Sequence, residues 1–215
     1  MTTVNGHATE DRVKAAAVQL FGAKGFAATG IRELAHEAGV SIASLYHYMD
    51  TKESLLLDLM LDGMHSLLGP ASEALDPPGA PAADLVKLVA IHVRFHCERA
   101  ALAKVTDAEL RSLSPESRAG IVELRDAYQK LWTDIIIRGR DVGAFKVSEP
   151  RLATLALLEM CTGVYHWYSP GGRFTVDRIA DYYGVLALRM LAHPRTPAMR
   201  RLEAAVVVDS APGSS

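Results

Sequence analysis

Apolar residues recur along most of this chain at intervals of three and four, which is the period of an α-helix. The first such stripe consists of Val13, Ala16, Ala17 and Leu20. No run shows the sustained period-two alternation of a β-strand. We therefore predict an all-α protein whose first helix runs from about Thr9, as a capping residue, to Ala23, with Gly22 and Gly25 closing it.

Two short helices are predicted next, separated by a glycine turn. Thr29 is expected to cap the second helix, whose inward-facing residues are Ile31, Leu34, Ala35 and Ala38. Gly39 supplies a turn that would penalise a side chain. Ser41 is expected to cap the third helix, which ends near Asp50.

The fourth helix is predicted to open on a capping box made by Asp50 and Glu53. The prolines and the glycine of LDPPGAP, residues 75–81, then interrupt the helical pattern. Beyond them, apolar periodicity predicts helices at about 83–100, 101–112, 116–138, 150–168 and 175–192.

Three regions follow from this pattern. We predict a small N-terminal region of three helices over residues 1–53 and a larger helical region over 54–192. The proline-containing stretch 193–215 shows little periodicity and is predicted to be a mobile C-terminal tail.

Composition changes this picture only slightly. The chain has 215 residues, 49% of them hydrophobic, and a formal net charge of -2, so its overall charge does not indicate nucleic-acid binding. Cys97 and Cys161 lie far apart without paired spacing, which favours a reducing compartment. The N-terminus lacks a signal-peptide pattern, and no apolar run reaches the roughly 20 residues of a membrane span. We expect a soluble, cytoplasmic protein.

The stretch AGVSIASLYHYM, residues 38–49, carries three neighbouring rings, Tyr46, His47 and Tyr48. Leu45 and Met49 lie four residues apart and point inward, which leaves the rings on the outer surfaces of the third helix. The second and third helices have the lengths and spacing of a helix-turn-helix. An ordinary helical hairpin in an all-α protein is the alternative interpretation.

The stretch from residue 8 to about 57 resembles the DNA-binding domain of the tetracycline-repressor (TetR) family. The residues that carry the resemblance are AAAVQLFGAKGFAATGIRELAHEAGVSIASLYHYMDTKESLL. The chain departs from the family pattern at Met49, where Phe is usual, and at Ile42 and Ala43, where Lys and Gly are common. Met49 is a flexible substitute for the same core position.

The resemblance implies that residues 1–53 form a helix-turn-helix DNA-binding domain and that 54–192 form a helical effector-binding and dimerisation domain. It also implies roles for individual residues. Tyr46, Tyr48 and Lys52 would contact phosphates, with Thr29 and Gly30 adding contacts from the second helix. Base reading is expected from Arg32, Ile42, Ala43 and Ser44. Arg32 is the predicted guanine contact because its planar fork matches two acceptors on that base. The alternatives are that Arg32 pairs with Glu33 or Glu37, and that His47, the remaining DNA candidate, is an ordinary exposed residue.

The DNA-binding module is not basic. Residues 1–55 contain five Lys and Arg side chains and six Asp and Glu side chains. One module would therefore bind DNA weakly, whereas a homodimer would read a pseudo-palindromic operator. In the family resemblance, the helices near 151–168 and 175–192 form the dimer interface.

Polar and aromatic side chains on apolar helices suggest an effector pocket. His92 and His96 lie four apart on one helical face and could bind a metal, but no second ligand pair is visible, so pocket lining or packing is favoured. The C-terminal stretch resembles TetR-type regulators that respond to acyl-CoA thioesters, for which Trp167 would suit an adenine ring and Arg173 the phosphates. The predicted ligand-binding residues are His92, His96, Met160, His166, Trp167 and Arg173.

These features predict a repressor released by a small hydrophobic effector, such as an acyl-CoA, and not an enzyme; no cofactor or metal is predicted. One alternative is a helical metal-dependent enzyme using His92 and His96, although the nucleotide-binding, nucleophile-elbow and zinc-protease motifs are absent from the sequence. Another is an architectural DNA-binding protein without an effector.

Overall fold

The computed structural model describes residues 3–192 together with Pro197 and Arg201. The predicted mobile tail, 193–215, otherwise lies outside the described residues. Within the described part, the regular structure is helical, and the prediction of an all-α protein is confirmed. The helices are α1 (Thr3–Lys24), α2 (Ile31–Glu37), α3 (Ile42–Leu45), α4 (Lys52–Ala74), α5 (Pro81–Glu98), α6 (Ala100–Ala108), α7 (Pro115–Asp141), α8 (Pro150–Thr162) and α9 (Val176–Met190).

The chain divides into two compact units. The first unit comprises Met1–Ser66 and Arg99–Arg125, and the second comprises Leu67–Glu98 and Asp126–Ser215. Helices α4 and α7 each begin in the first unit and end in the second. The functional boundary that we predicted after residue 53 stays a prediction, because these units describe packing within the chain and not function.

The first unit is built on α1, which packs against α2 and α6. Gly22 lies at the contact with α6, where a Cβ would be in ordinary van der Waals contact, 3.5 Å, with the Ala101 carbonyl oxygen. Its core contains apolar side chains that the helical stripes predicted, among them Val13, Ala16, Ala17, Leu34, Leu45 and Met49. Phe21, which the stripe did not include, is buried, whereas Leu20, which it did include, is half-buried. Burying such side chains stabilises each by about 1.5–3 kcal/mol relative to exposure.

Two predicted helix starts are wrong. Helix α1 begins at Thr3, and the Thr9 hydroxyl inside it accepts a hydrogen bond from Arg12 at 3.2 Å. Gly30 caps α2, whereas the buried Thr29 hydroxyl donates to the Gly25 carbonyl at 2.9 Å. In both cases the hydroxyl forms a hydrogen bond with a residue three or four positions away instead of capping a helix. The local cap pattern does not reveal this partner.

The turn and cap at α3 are confirmed. Gly39 has φ +65°, and the Ser41 hydroxyl accepts from the Ser44 amide at 3.0 Å. The predicted end near Asp50 is wrong, since α3 ends at Leu45. The Tyr46 amide still donates to the Ile42 carbonyl four residues back, but the amides of His47 and Tyr48 donate to carbonyls three residues back, so the chain tightens into turns.

The predicted capping box of α4 is also wrong. Thr51 and Ser54 cap the helix reciprocally: the Ser54 amide donates to the Thr51 hydroxyl at 2.9 Å, and the Thr51 amide donates to the Ser54 hydroxyl at 3.0 Å. Glu53 accepts instead from the Ser114 amide at 2.8 Å. The Glu53 carboxylate, which the local pattern assigned to the cap, therefore bonds to a residue 61 positions away in the chain.

In the second unit, α5 packs along α9 and against α8. The interruption at 75–81 is confirmed, and buried Asp84 holds it by accepting from the Gly79 amide at 2.9 Å and from Arg138 at 2.8 Å. Helix α8 ends at Thr162, six residues before the predicted end, and continues as the 3₁₀ turn Gly163–His166. None of the described helices has the length and apolar character needed to span a bilayer.

Candidate nucleic-acid interface and effector site

The ring stretch after α3 lies largely on the surface. Leu45 and Met49 are buried, as predicted, and this orientation leaves Tyr46 49% exposed and His47 exposed. Tyr48 is half-buried. Two of the three rings are therefore available to a partner, and their polar tips can reach phosphate oxygens.

The side chains predicted to read bases surround the same surface. Arg32 on α2 and Ile42 and Ala43 on α3 are exposed, and Ile42 is unusually so for an aliphatic residue, at 42%. Ser44 is half-buried. Within the described part of the chain Arg32 forms no ion pair, while Glu33 pairs with Lys24, which holds the pKa of that carboxyl below its usual value. The alternative in which Arg32 pairs with Glu33 is therefore wrong.

Thr29 and Lys52 point inward. Thr29 as a whole is only 2% exposed, so neither its hydroxyl nor its backbone is presented, whereas Gly30, the next residue, is exposed at the start of α2. The Lys52 ammonium donates to the carbonyl oxygens of Phe26 at 2.9 Å and Thr29 at 2.8 Å, and it lies 4.3 Å from the centre of the Phe26 ring. Lys52 therefore holds the loop between α1 and α2, and one of its three N–H groups remains for another acceptor.

The other cations of this region are also engaged. Lys14 forms ion pairs with Glu10 at 3.3 Å and Asp62 at 3.0 Å, and the hydrogen bond to Asp62 raises the pKa of Lys14. Arg12 donates to Thr9. The surface around α2 and α3 consequently offers neutral donors and aromatic rings more than positive charge.

In the second unit, His92 and His96 lie together as predicted, and both are buried. Their rings stack with centroids 4.1 Å apart. The His92 nitrogens contact the Tyr128 hydroxyl at 3.3 Å and the Thr162 hydroxyl at 2.9 Å, and His96 Nδ1 donates to the His92 carbonyl at 2.8 Å. Burial holds the pKa of His92 well below its usual value, with a smaller effect from His96, and also lowers the pKa of His96. The pair is therefore neutral near pH 7.

The two histidines continue into a row of rings. Tyr165 stacks on His96 with centroids 6.3 Å apart and lies 4.1 Å from the ring of His166, which is exposed. The row thus extends from the buried pair to the surface. Among the described residues, no group of three or more His, Cys, Asp or Glu side chains is arranged to hold a metal ion.

A separate apolar groove of about 250 Å³ lies beside α9. Trp167, 49% exposed, is the only predicted ligand residue that lines it. Arg178 lines it in place of Arg173, and the guanidinium carbons of both lie over the Phe174 ring, at 5.6 and 5.3 Å from its centre. The structure therefore does not gather the predicted ligand residues at one site. Met160 is half-buried and Arg173 exposed, and the groove residues are Trp167, Phe174, Arg178, Ile179, Tyr182 and Tyr183.

Two family models match the chain. The model described as "Bacterial regulatory proteins, tetR family" matches residues 14–59, and "Tetracyclin repressor-like, C-terminal domain" matches residues 78–191. The second match alone covers more than half of the chain. The protein belongs to the TetR family.

Relatives of this TetR-family chain are named as regulators. It is 29% identical over 180 residues to the HTH-type transcriptional repressor KstR2 of Rhodococcus jostii, covering 83% of this chain and 88% of that protein. The crystal structure of a bacterial regulatory protein in the tetR family from Rhodococcus RHA1 is 36% identical, covers 87% of this chain and 98% of that one, and has a TM-score of 0.79.

A second solved structure shares the TetR fold at lower identity. AibR, solved in complex with isovaleryl coenzyme A and operator DNA, is 22% identical, with a TM-score of 0.73 over 83% of this chain and 97% of that one. Because the family and these relatives are regulators, the TetR-family chain is a transcriptional regulator and not an enzyme. The metal-dependent enzyme that we weighed is not supported.

Sequence reasoning about this TetR-family chain missed several partners. Tyr128 and Trp132 on α7 are buried beside His92, and their spacing of four residues is the one pattern that could have indicated a shared face. No comparable spacing in the sequence indicates that Thr162 or Glu109 has a partner. Glu109 lies in the first unit and accepts from the Phe26 amide, 83 residues away.

Proposed function

We propose that the protein is a homodimeric transcriptional repressor that binds a pseudo-palindromic operator and is released by a small hydrophobic effector. One observation carries the proposal: α3 and the turn that follows it bury Leu45 and Met49 and thereby expose Ile42, Ala43, Tyr46 and His47 on one short stretch of chain. Apolar and aromatic side chains exposed together on a monomeric surface are typical of an interaction site. In a chain of this family, duplex DNA is the partner that fits.

The DNA contacts are divided by chemistry. Tyr46, Tyr48 and the third N–H of Lys52 are proposed to bind phosphates, together with the start of α2, where Gly30 is exposed next to buried Thr29. Base reading is assigned to Arg32, which has no ion-pair partner among the described residues, with smaller contributions from the three α3 residues Ile42, Ala43 and Ser44 and from His47 in the following turn.

Dimerisation is proposed to use α8 and α9. Leu152 and Leu155, three residues apart on α8, are 64% and 46% exposed, and Met190 at the end of α9 is 49% exposed. Thr154 and Leu157 occupy the buried side of α8. Large apolar side chains on two helices that already bury their other faces support a second copy as the covering partner.

The effector is proposed to bind the second unit. The apolar groove beside α9 supports a hydrophobic ligand, and Trp167 with the two guanidinium groups over Phe174 supports one that also carries a flat ring and anionic groups. An acyl-CoA has this chemistry. His92, His96 and His166, which belong to the row of rings, and Met160 are proposed to bind the effector, and Arg173 to bind its anionic end.

Release is proposed to be a population shift. The effector would favour an arrangement in which the two recognition helices no longer match successive major grooves. A regulator with this activity works where the chromosome is, so we place it in the cytoplasm. An architectural DNA-binding protein would share the first unit but would not respond to any ligand.

The test of the DNA proposal is selection of a duplex from random sequence by the purified protein, followed by titration of two variants. Tyr46→Phe should weaken binding to all sequences by a similar factor, whereas Arg32→Ala should relax the preference at one position in each half-site. Equal losses on every sequence for both variants would contradict the assignment of Arg32. A selection that yields no sequence would contradict the function itself.

The dimer and the effector need separate measurements. Leu152→Asp should convert a dimer into a monomer by light scattering, while Val142→Asp, a matched change at a residue 71% exposed outside α8 and α9, should not. Acyl-CoA thioesters and hydrophobic ligands should then be screened for release of the selected duplex. Absence of release by any ligand would favour the architectural alternative.

A further inference from the structure

The loop between α1 and α2 is held by two ionised side chains that meet at one residue, Phe26. The Phe26 amide donates to Glu109 Oε1 at 3.0 Å, and the Phe26 carbonyl accepts from the Lys52 ammonium at 2.9 Å. Hydrogen bonds to ionised groups are about twice as strong as neutral ones. The peptide group before Phe26 is therefore held by a carboxylate, and the peptide group after it is held by an ammonium group.

Glu109 is itself held in one orientation. It caps the C-terminal end of α6, outside the helix-turn-helix, and its second carboxylate oxygen, Oε2, accepts from the Ser112 hydroxyl at 2.6 Å. Each carboxylate oxygen thus has a partner. A Cβ added at Gly25, which has φ +90°, would lie 3.3 Å from Oε1, so the carboxylate is packed closely against the loop.

The loop in turn sets where α2 begins. The Lys52 ammonium also donates to the Thr29 carbonyl at 2.8 Å, and the Thr29 hydroxyl donates back to the Gly25 carbonyl. Gly30, the next residue, caps α2, and Arg32 follows two residues later. These hydrogen bonds connect Glu109, through Phe26 and the loop, to the start of the helix that carries the proposed guanine contact.

We propose that Glu109 is a positioning residue for operator binding, acting through Phe26 and the loop that precedes α2. This inference rests on the proposed operator binding. It predicts a change in operator affinity opposite in direction to the one that simple electrostatics predicts. Removing an acidic side chain from a DNA-binding unit ordinarily strengthens its attraction to phosphates, whereas removing this acceptor should weaken operator binding.

The experiment compares three variants of the full-length protein on a duplex selected by the wild type. Glu109→Ala removes the acceptor and should weaken binding about tenfold, the loss typical of one hydrogen bond to a charged group. Glu109→Gln keeps an oxygen acceptor without the charge and should bind within about threefold of wild type. Glu116→Ala, an acid-to-alanine control at an exposed position on α7, should bind as well as wild type or better.

Two readouts separate positioning from a general loss of stability. The slope of affinity against salt should stay the same in Glu109→Ala, because no phosphate contact is removed. Amide hydrogen exchange in the peptide containing Phe26 should accelerate in Glu109→Ala but not in Glu109→Gln or Glu116→Ala. All titrations are made at a temperature at which circular dichroism shows each variant folded.

Three results would overturn the proposal: Glu109→Ala binding as tightly as Glu116→Ala, Glu109→Gln losing as much affinity as Glu109→Ala, or unchanged exchange at Phe26. A wild-type protein that selects no duplex would instead overturn operator binding. The exchange rates would then still decide whether Glu109 holds the loop, so the two failures are distinguishable.

Discussion

Two stretches of neighbouring rings, residues 46–48 and 165–168, have similar sequences and different surroundings. Both follow or occupy a helical segment of four residues, α3 in the first unit and the 3₁₀ turn Gly163–His166 in the second. In the first stretch, Tyr46 and His47 face solvent. In the second, half-buried Tyr165 stacks on buried His96, and His166 and Trp167 are exposed.

The difference shows that the residue type does not set the role of a ring. Tyr46 has no ring neighbour within the described structure that would hold it, so it remains available for a partner. Tyr128, of the same type, is 4% exposed, contacts His92, and has its pKa raised by burial. We expect an exposed ring to contribute to the affinity for a partner and a buried ring to contribute to the stability of the fold.

The largest expected effect tests this contrast directly. Tyr128→Ala should lower the free energy of unfolding by about 3–5 kcal/mol, the cost of truncating a buried aromatic side chain. Tyr46→Ala, the matched truncation at an exposed ring, should change it by no more than about 0.5 kcal/mol. Urea denaturation of both variants measures this, and similar losses would remove the distinction between the two regions.

The second effect concerns protons. Because burial lowers the pKa of His92 and His96 in the folded protein, the unfolded chain binds more protons below its own histidine pKa, near 6.5. Their contribution to stability is therefore complete above pH 6.5 and is lost as the pH falls, at no more than about 1.4 kcal/mol per pH unit for each histidine.

Variants at one buried and one exposed histidine isolate that effect. The unfolding free energy of His92→Gln should fall less steeply than that of the wild type between pH 6.5 and 5. His47→Gln, at the exposed ring stretch, should follow the wild-type curve. A His47 variant that flattened the curve as much as the His92 variant would show that burial is not the cause.

A third effect concerns two lysines of the first unit, Lys52 and Lys14, and the salt dependence of operator binding. Lys52→Gln should weaken operator binding by about 1–2 kcal/mol and reduce the slope of log affinity against log salt by about 1 for each subunit, as loss of a phosphate contact does. Lys14→Gln, where the lysine is paired with Glu10 and Asp62, should leave the slope unchanged. An unchanged slope for Lys52→Gln would mean that Lys52 acts only by holding the loop.

The smallest expected effect is on the thiols of the buried region. Burial raises the pKa of Cys97 to about 11 and that of Cys161 to about 12, so neither forms much thiolate at neutral pH. Both should react slowly with a thiol reagent at pH 7.5 and rapidly once urea unfolds the protein. Fast reaction of the folded protein would indicate that the second unit opens readily.

Much of the architecture follows from local pattern. The apolar stripes predicted the helices and the inward orientation of Leu45 and Met49, and Gly39 marked the turn between α2 and α3. These predictions succeed because helical periodicity and a positive φ are properties of a few neighbouring residues. The same local pattern also identified the exposed ring stretch.

The cap assignments show where local pattern fails. Asp50 and Glu53 match a capping box, yet Thr51 and Ser54 form it, because Ser114 occupies the Glu53 carboxylate. The predicted ligand residues were likewise dispersed, since Arg178 and not Arg173 lines the groove with Trp167. A hydrogen bond between distant segments can displace a local one of similar strength, and sequence spacing does not reveal it.

The sequence by itself determined the helical class, the helix-turn-helix and the family, because each depends on residues that are neighbours in the chain. Only the tertiary structure decided which polar groups became partners: Glu109 with Phe26, Lys52 with the loop carbonyls, and His92 with Tyr128 and Thr162. A buried polar group must find a hydrogen-bond partner wherever folding brings one within reach. That requirement acts between segments far apart in sequence.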